Sequence, residues 1–342
     1  MELQMRHYYK ICRLAALALV ASACAKVVPD EPGTRSIIGF NTVCTKAVTS
    51  KYPTTVPFRS TAFSYSGTWD ANKSSATQYI DEELVKYNST YSYWITYDGD
   101  TEKAYSWPGG DTKLTFFSYS PSSLKGRVSV STDGVGISSW DVTSDTGDIL
   151  IADIAQDKTK NESLAGYTGV PTLFKHKLSR IVFEFGIADE ASAETQIKVT
   201  SIVLKGVYSS GAYSRGGYAD DQWRPSSLLS EWMLYKNNTG LNLSKGSLSD
   251  ELPFNMIPQS LLASGTTHPE LVIGYDISTD RGVTWRSETA SCFFDENLRL
   301  ESWEKGKKYT YKIYIGVGQY PIKFTGGVTE WSNEDTSTIT IG

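Results

Sequence analysis

Lys307-Lys308-Tyr309-Thr310-Tyr311-Lys312-Ile313-Tyr314-Ile315-Gly316-Val317 has the clearest period in the chain. Tyr309, Tyr311, Ile313, Ile315 and Val317 fall on one side; Lys308, Thr310, Lys312 and Tyr314 fall on the other. A period of two is that of a half-buried β-strand, because successive side chains of a pleated backbone point to opposite faces. The signature recurs upstream. Leu271, Ile273, Tyr275 and Ile277 alternate with Val272, Gly274 and Asp276; Ile181, Phe183 and Phe185 share a face; Phe63 and Tyr65 alternate ahead of Gly67. Leu114-Thr115-Phe116-Phe117-Ser118-Tyr119-Ser120-Pro121 is apolar on both faces, as a strand between two layers is. Residues 148–152 and 197–207 read as further buried strands, and 91–97 runs into Asp98-Gly99, a hairpin-type turn. Past the opening stretch, 318–321 predicts a turn, Ile322 and Phe324 resume the pattern, and Trp331 and Ile339-Thr340-Ile341 close the chain.

Two stretches read as helices instead. Residues 80–87 (IDEELVKY) predict a short surface helix whose solvated start is Asp81-Glu82-Glu83. Residues 225–235 predict a second, with Pro225 near its start and Leu228, Leu229 and Trp232 at helical spacing. Short strands with frequent turn signals nonetheless dominate, and predict an all-β chain of two antiparallel sandwiches in tandem. A length of 342 residues is enough for two cores. The polar stretch 153–169, with Gly166 and Gly169, is the expected connection between them.

A net charge of -5 argues against nucleic acid as a partner, because phosphate binding needs a basic face. At the N-terminus, Arg6, Lys10 and Arg13 precede the apolar run 14–20 (LAALALV), which is too short to span a bilayer. Ala21-Ser22-Ala23-Cys24 follows. Small residues before a cysteine resemble a bacterial lipobox, in which Cys24 carries the lipid; the other reading is an ordinary Ala-Ser-Ala cleavage site. Lipid there would tether the chain to the outer membrane without spanning it. The expected division is a signal segment 1–24, a tether 25–35, an N-terminal domain 36–168 and a C-terminal domain 169–342. Beyond Cys12 and Cys24, only Cys44 and Cys292 remain, either as one disulfide or as two buried small residues.

Between tether and body lies Ser36-Ile37-Ile38-Gly39-Phe40-Asn41-Thr42-Val43-Cys44-Thr45-Lys46-Ala47. Ile38, Phe40 and Cys44 share one face of a short strand, and Ile37 and Val43 the other. Its place ahead of the body, ending in a basic residue, marks it as a removable piece of the fold.

The order of local patterns resembles the fimbrillin family, the Mfa-like subunits of type V pili in Gram-negative gut and oral bacteria. The resemblance rests on five features in one order. They are the lipobox-like run at Cys24; Ile38-x-Phe40 ending in Thr45-Lys46-Ala47; Trp107-Pro108 followed by 114–121; Phe174-Lys175-His176-Lys177-Leu178-Ser179-Arg180; and Trp303 to Tyr311 with Ile322-x-Phe324 and Val328-x-x-Trp331. The resemblance implies two transthyretin-like sandwiches, lipid-anchored export, and proteolytic removal of the first strand. It further implies polymerisation with other fimbrial subunits by strand donation. Carried onto this chain, the cut falls between Lys46 and Ala47, with Arg35 as the alternative. The displaced strand holds Ile37, Ile38, Phe40 and Val43. Donor-strand candidates are Ile322, Phe324, Val328, Trp331, Ile339 and Ile341. Stalk, tip and anchor roles all stay open, as does a host glycan or protein as the adhesion target.

No residue pattern points to catalysis, a metal or a cofactor. His176 and His268 stand apart from any carboxylate cluster in sequence, and no Cys-x-x-Cys pair exists. The alternative function is a surface lipoprotein that binds glycan through exposed aromatics drawn from nine tryptophans: Trp69, Trp94, Trp107, Trp140, Trp223, Trp232, Trp285, Trp303 and Trp331.

Overall fold

A computed structural model describes residues 37–42, 52–90, 92–160, 169–216, 221–317, 322–331 and 340–341. The fold is all-β. The first half supplies β1 (Phe40–Asn41), β2 (Phe58–Ser66), β3 (Thr77–Asn88), β4 (Tyr93–Asp98), β5 (Thr101–Glu102) and β6 (Thr112–Ser120). Then come β7 (Ser129–Ser131), β8 (Gly134–Asp141), β9 (Leu150–Ala152), β10 (Ala155–Lys158), β11 (Val170–Pro171) and β12 (Phe174–His176).

One sheet runs β11-β1-β4-β3-β2-β6-β9-β12, with β10 on β6 and β5 on β4. Its two end strands are separated in sequence only by Thr172 and Leu173. Three Cα–Cα steps of ~3.8 Å join them, so the two edges of the sheet approach within roughly 11 Å. The sheet therefore curls on itself. Its interior holds Ile38, Phe40, Phe58, Ala62, Ile80, Val85, Trp94, Leu114, Phe116, Ala155 and Val170. β6 sends Leu114 and Phe116 inward and Phe117 and Tyr119 to the opposite face, as its two-sided apolar run requires.

The second half supplies β13 (Ser179–Ile187), β14 (Gln196–Lys205), β15 (Val207–Tyr208), β16 (Ser210–Arg215), β17 (Gln222–Pro225), β18 (Leu228–Leu229) and β19 (Trp232–Asn242). β20 (Leu252–Met256), β21 (Gln259–Ser260), β22 (Glu270–Ser278) and β23 (Arg286–Phe293) follow. β24 (Ser302–Trp303), β25 (Lys307–Ile315), β26 (Ile322–Glu330) and β27 (Thr340–Ile341) end it. The sheet β20-β13-β25-β26-β27 and the sheet β19-β14-β22-β23 share one core. Phe183, Phe185, Tyr311 and Ile313 come from the first, and Ile197, Leu204, Ile273 and Tyr275 from the second. Tyr309, Tyr311, Ile313 and Ile315 are buried as their period requires, whereas Val317, past the strand end, is exposed.

Strands from both halves also pair. β8 joins β16 in the sheet β17-β16-β8-β7, and Val135, Ile137 and Trp140 belong to the same core as Phe63, Phe117 and Tyr119. The stretch 153–169, expected to connect two domains, is partly structural, since β10 pairs with β6; just past it, β11 and β12 complete the first sheet.

Both expected helices are strands. Residues 80–87 lie in β3, paired with β2 and β4. Ile80, Leu84 and Tyr87 fit helical spacing, but a bulge reconciles the pattern with a strand: Ala62 faces Ile80 and Ser60 faces Glu83, one residue out of step. The extra residue lets Ile80 and Val85, five apart, both face the interior. Glu82 takes the bulge with φ 47°, so the acidic trio is a kink in a strand and not a helix start. Residues 225–235 divide among β17, β18 and β19, each paired with a different strand. Open edges on β16, β15 and β14 outweigh a helical spacing whose Leu228 stays exposed.

Candidate functional site: the seat of the leading strand

Residues 37–42 lie inside the curled sheet's wall. Phe40 pairs antiparallel with Trp94 of β4 and parallel with Val170 of β11. The Ile38 amide donates to the Tyr105 carbonyl at 2.7 Å. The Gly39 and Asn41 carbonyls accept from the Val170 and Thr172 amides, both at 2.8 Å. The segment is thus bonded along both edges.

Its side chains divide as the alternation predicts. Ile38 is 0% exposed and Phe40 2%, whereas Ile37 is 42% exposed. Phe40 meets Phe58 at 5.7 Å and Phe116 at 5.8 Å between ring centroids, both edge to face. Trp94 and Phe58 extend the aromatic floor. Glycine is required where two backbones touch: a Cβ on Gly169 would lie 2.8 Å from the Gly39 carbonyl oxygen. Tyr52 is the next described residue along the chain. Its ring stacks on Phe174, and its hydroxyl bonds the Ser120 hydroxyl. Burial pushes the Tyr52 hydroxyl up to about 12.

Burying Ile38 and Phe40 contributes about 3–6 kcal/mol gross, at ~1.5–3 kcal/mol per large apolar side chain. Its removal exposes an apolar slot and two rows of backbone groups, one on β4 and one on β11.

Cys24, Arg35, Val43, Lys46, Ala47 and Ile339 lie outside the described residues, as does Cys44. Ile322, Phe324 and Val328 lie on β26, whose ladder with β25 runs from Ile315↔Ile322 to Lys307↔Glu330. Ile341 lies on β27, which among the described residues pairs with β26 through Gly326↔Ile341 and Gly327↔Thr340. Trp331 stacks on His176 at 4.0 Å between ring centroids, with Arg180 over the ring at 5.7 Å. Cys292 is a buried free thiol.

The structure does not bring the histidines into a reactive group. His176 Nδ1 is bonded to Asp148 at 2.6 Å and His268 Nε2 to Asp295 at 2.6 Å, on separate elements. Among the described residues, no cluster of three His, Cys, Asp or Glu is placed to hold a metal. Of the nine tryptophans, only Trp285 is exposed, and Lys198 covers its ring at 4.1 Å. Trp107, Trp223, Trp232 and Trp331 are half-buried, and Trp69, Trp94, Trp140 and Trp303 are buried. No helix among the described residues is long and apolar enough to cross a membrane. Sequence reasoning missed the partners of the leading strand, Tyr105 and Val170, because nothing in their local sequence marks them.

The fold is all-β, with a first sheet whose wall is completed by a leading strand set between β4 and β11. The fimbrillin-like family profile matches residues 58–331, and the chain belongs to that family. It is a fimbrial or adhesion subunit of the cell surface. The fold is similar to that of a fimbrial protein from Bacteroides vulgatus ATCC 8482, at TM-score 0.64 and 21% identity, covering 87% of this chain and 100% of that one. It is also similar to that of a candidate cell adhesion protein from Bacteroides uniformis ATCC 8492, at TM-score 0.54 and 15% identity, covering 87% of this chain and 99% of that one. No curated protein matches the sequence.

Proposed function

We propose that the chain joins a polymer by donor-strand exchange, triggered by a cut between Lys46 and Ala47. One observation carries this reading: residues 37–42 fill an interior slot of a sheet to which they are bonded on both edges. While the chain is intact, the strand is held at high effective concentration and keeps the slot occupied. Cleavage makes its return bimolecular, and a donated strand then satisfies both the apolar slot and the free backbone groups. Arg35 is the alternative cut. It would leave residues 36–47 attached to the body.

The donor is best sought at the chain's end. Detaching β26 would break a nine-residue ladder, whereas β27, among the described residues, shows two pairs with β26. Ile339 and Ile341 are therefore stronger donor candidates than Ile322, Phe324, Val328 or Trp331. Lipid on Cys24 would hold the precursor at the outer membrane, and the two-unit division, transthyretin-like in each unit, belongs to the same reading.

The test is limited digestion with a protease that cuts after lysine or arginine. The new N-terminus should be Ala47, and incubation should yield ladders that resist detergent. Digestion that frees Ala47 yet leaves a strict monomer, in the presence of other subunits, would sink the reading.

A further inference from the structure

Between the first sheet and the second half lies a buried polar cluster that the strand-exchange reading does not use. Lys177 follows β12, and its side chain is 1% exposed. Its Nζ lies 3.3 Å from Oδ1 and 3.1 Å from Oδ2 of Asp221, so it faces the carboxyl group across both oxygens. The Tyr213 hydroxyl donates to Oδ1, and Lys305 Nζ lies 3.1 Å from Oδ2. The Tyr213 ring sits 5.9 Å under Nζ, and Trp223 Nε1 donates to the Lys177 carbonyl. The charged and titratable groups facing Lys177 are Asp221, Tyr213, Arg215 and Lys305.

The geometry points to an intramolecular isopeptide bond between Lys177 Nζ and the Asp221 carboxyl carbon. The nitrogen lone pair forms the N–C bond, and the C–Oδ2 bond breaks. That oxygen leaves as water with two protons from the ammonium, and one hydrogen stays on the amide nitrogen. No oxidant or co-reactant enters. Tyr213 is placed to hold the oxygen that stays, and Lys305 the oxygen that leaves. Burial pulls the Lys177 amine down to about 8 against the pull of Asp221, and so raises the minor fraction of the nucleophilic neutral form. Asp221, beside two ammonium groups and a hydroxyl, is held ionised at about 2, although burial opposes this. Condensation therefore passes through the rarer neutral pair and is slow. It needs to occur only once per molecule.

The bond would join the start of the second half to the chain entering β17, which pairs with β16 and through it with β8. A covalent bridge there would add to the strand pairing, shared core and side-chain bonds that already connect the two regions. The proposal stands independently of strand exchange.

The test is a tryptic map of the full chain purified from its own cells and aged before digestion. The peptide holding Lys177 should be recovered joined to the one holding Asp221, one water lighter than their sum and uncut after Lys177. The K177R chain should give the Asp221 peptide alone at full mass. Recovery of the wild-type Lys177 and Asp221 peptides as separate species would overturn the proposal. So would a join at Lys305, or a joined peptide that persists in K177R. Because the wild-type map decides, a folding defect in the variant would not rescue the idea.

Discussion

Phe40 and Gly169 set the leading strand's hold for opposite reasons. Phe40 fills space among Phe58 and Phe116, so Phe40→Ala should destabilise the intact chain by about 3–5 kcal/mol through lost burial and a residual cavity. Urea unfolding measures this, and the variant's strand should also be released faster by protease. Unchanged stability and release would place Phe40 outside the seat's energetics. Gly169 leaves space empty on purpose. Gly169→Ala would put a methyl 2.8 Å from a backbone oxygen that cannot rotate away, at a cost of about 1–3 kcal/mol. The same unfolding experiment should show the loss, and a neutral result would mean that β11 shifts freely from β1. Cys292 offers a probe of global opening. Burial raises its thiol to about 12, above the ordinary 9.0. With the folded value above the unfolded one, this term favours the fold below pH ~9 and fades as pH rises through 12. Alkylation at pH 8 should therefore be slow in the native protein and fast in denaturant. Rapid native labelling would mean that the β22–β23 region opens locally.

At the scale of elements, strands differ in what it costs to move them. β26 shares its whole length with β25, and Val328 and Trp331 pack on the core. Truncation after residue 331 should leave the fold intact and abolish detergent-resistant ladders; truncation after residue 321 should unfold the second half of the chain. Circular dichroism and gel mobility separate the two. Ladders that persist after the shorter truncation would move the donor to another segment. Two edges of the second half are protected. β19 carries an insertion against β14, where Ser201 faces Lys236 and Val199 faces Leu241, and β23 bears Arg286 and Glu288. Bulges and charges of this kind discourage unplanned edge pairing.

At the scale of the whole molecule, one apolar core runs from Phe63 through Trp140 and Phe183 to Ile315, drawing on both halves of the chain. Residues 36–168 expressed alone would lack β11, β12 and β16 and would expose the outer face of β2 and β6. That fragment should be aggregated or molten by near-UV circular dichroism, whereas a sharp cooperative transition would show that the first half is self-sufficient.

What could be read from the sequence was whatever depends on neighbours along the chain. Alternation at 271–277 and 309–315 gave strand type and buried face, and Ile38-x-Phe40 gave the inward pair of the leading strand, because pleating fixes side-chain direction locally. The helical misreadings at 80–87 and 225–235 came from the same local logic. There, a bulge at Glu82 and the unpaired edges of β14, β15 and β16 decided the outcome, and neither is encoded within the segment. Only tertiary structure could close the first sheet with residues 170–176, set Tyr105 and Val170 against the leading strand, and bring Lys177 to Asp221. Each of these pairings brings together groups at least 20 residues apart in sequence, chosen by which edges and buried charges remain unsatisfied once the rest of the chain has packed.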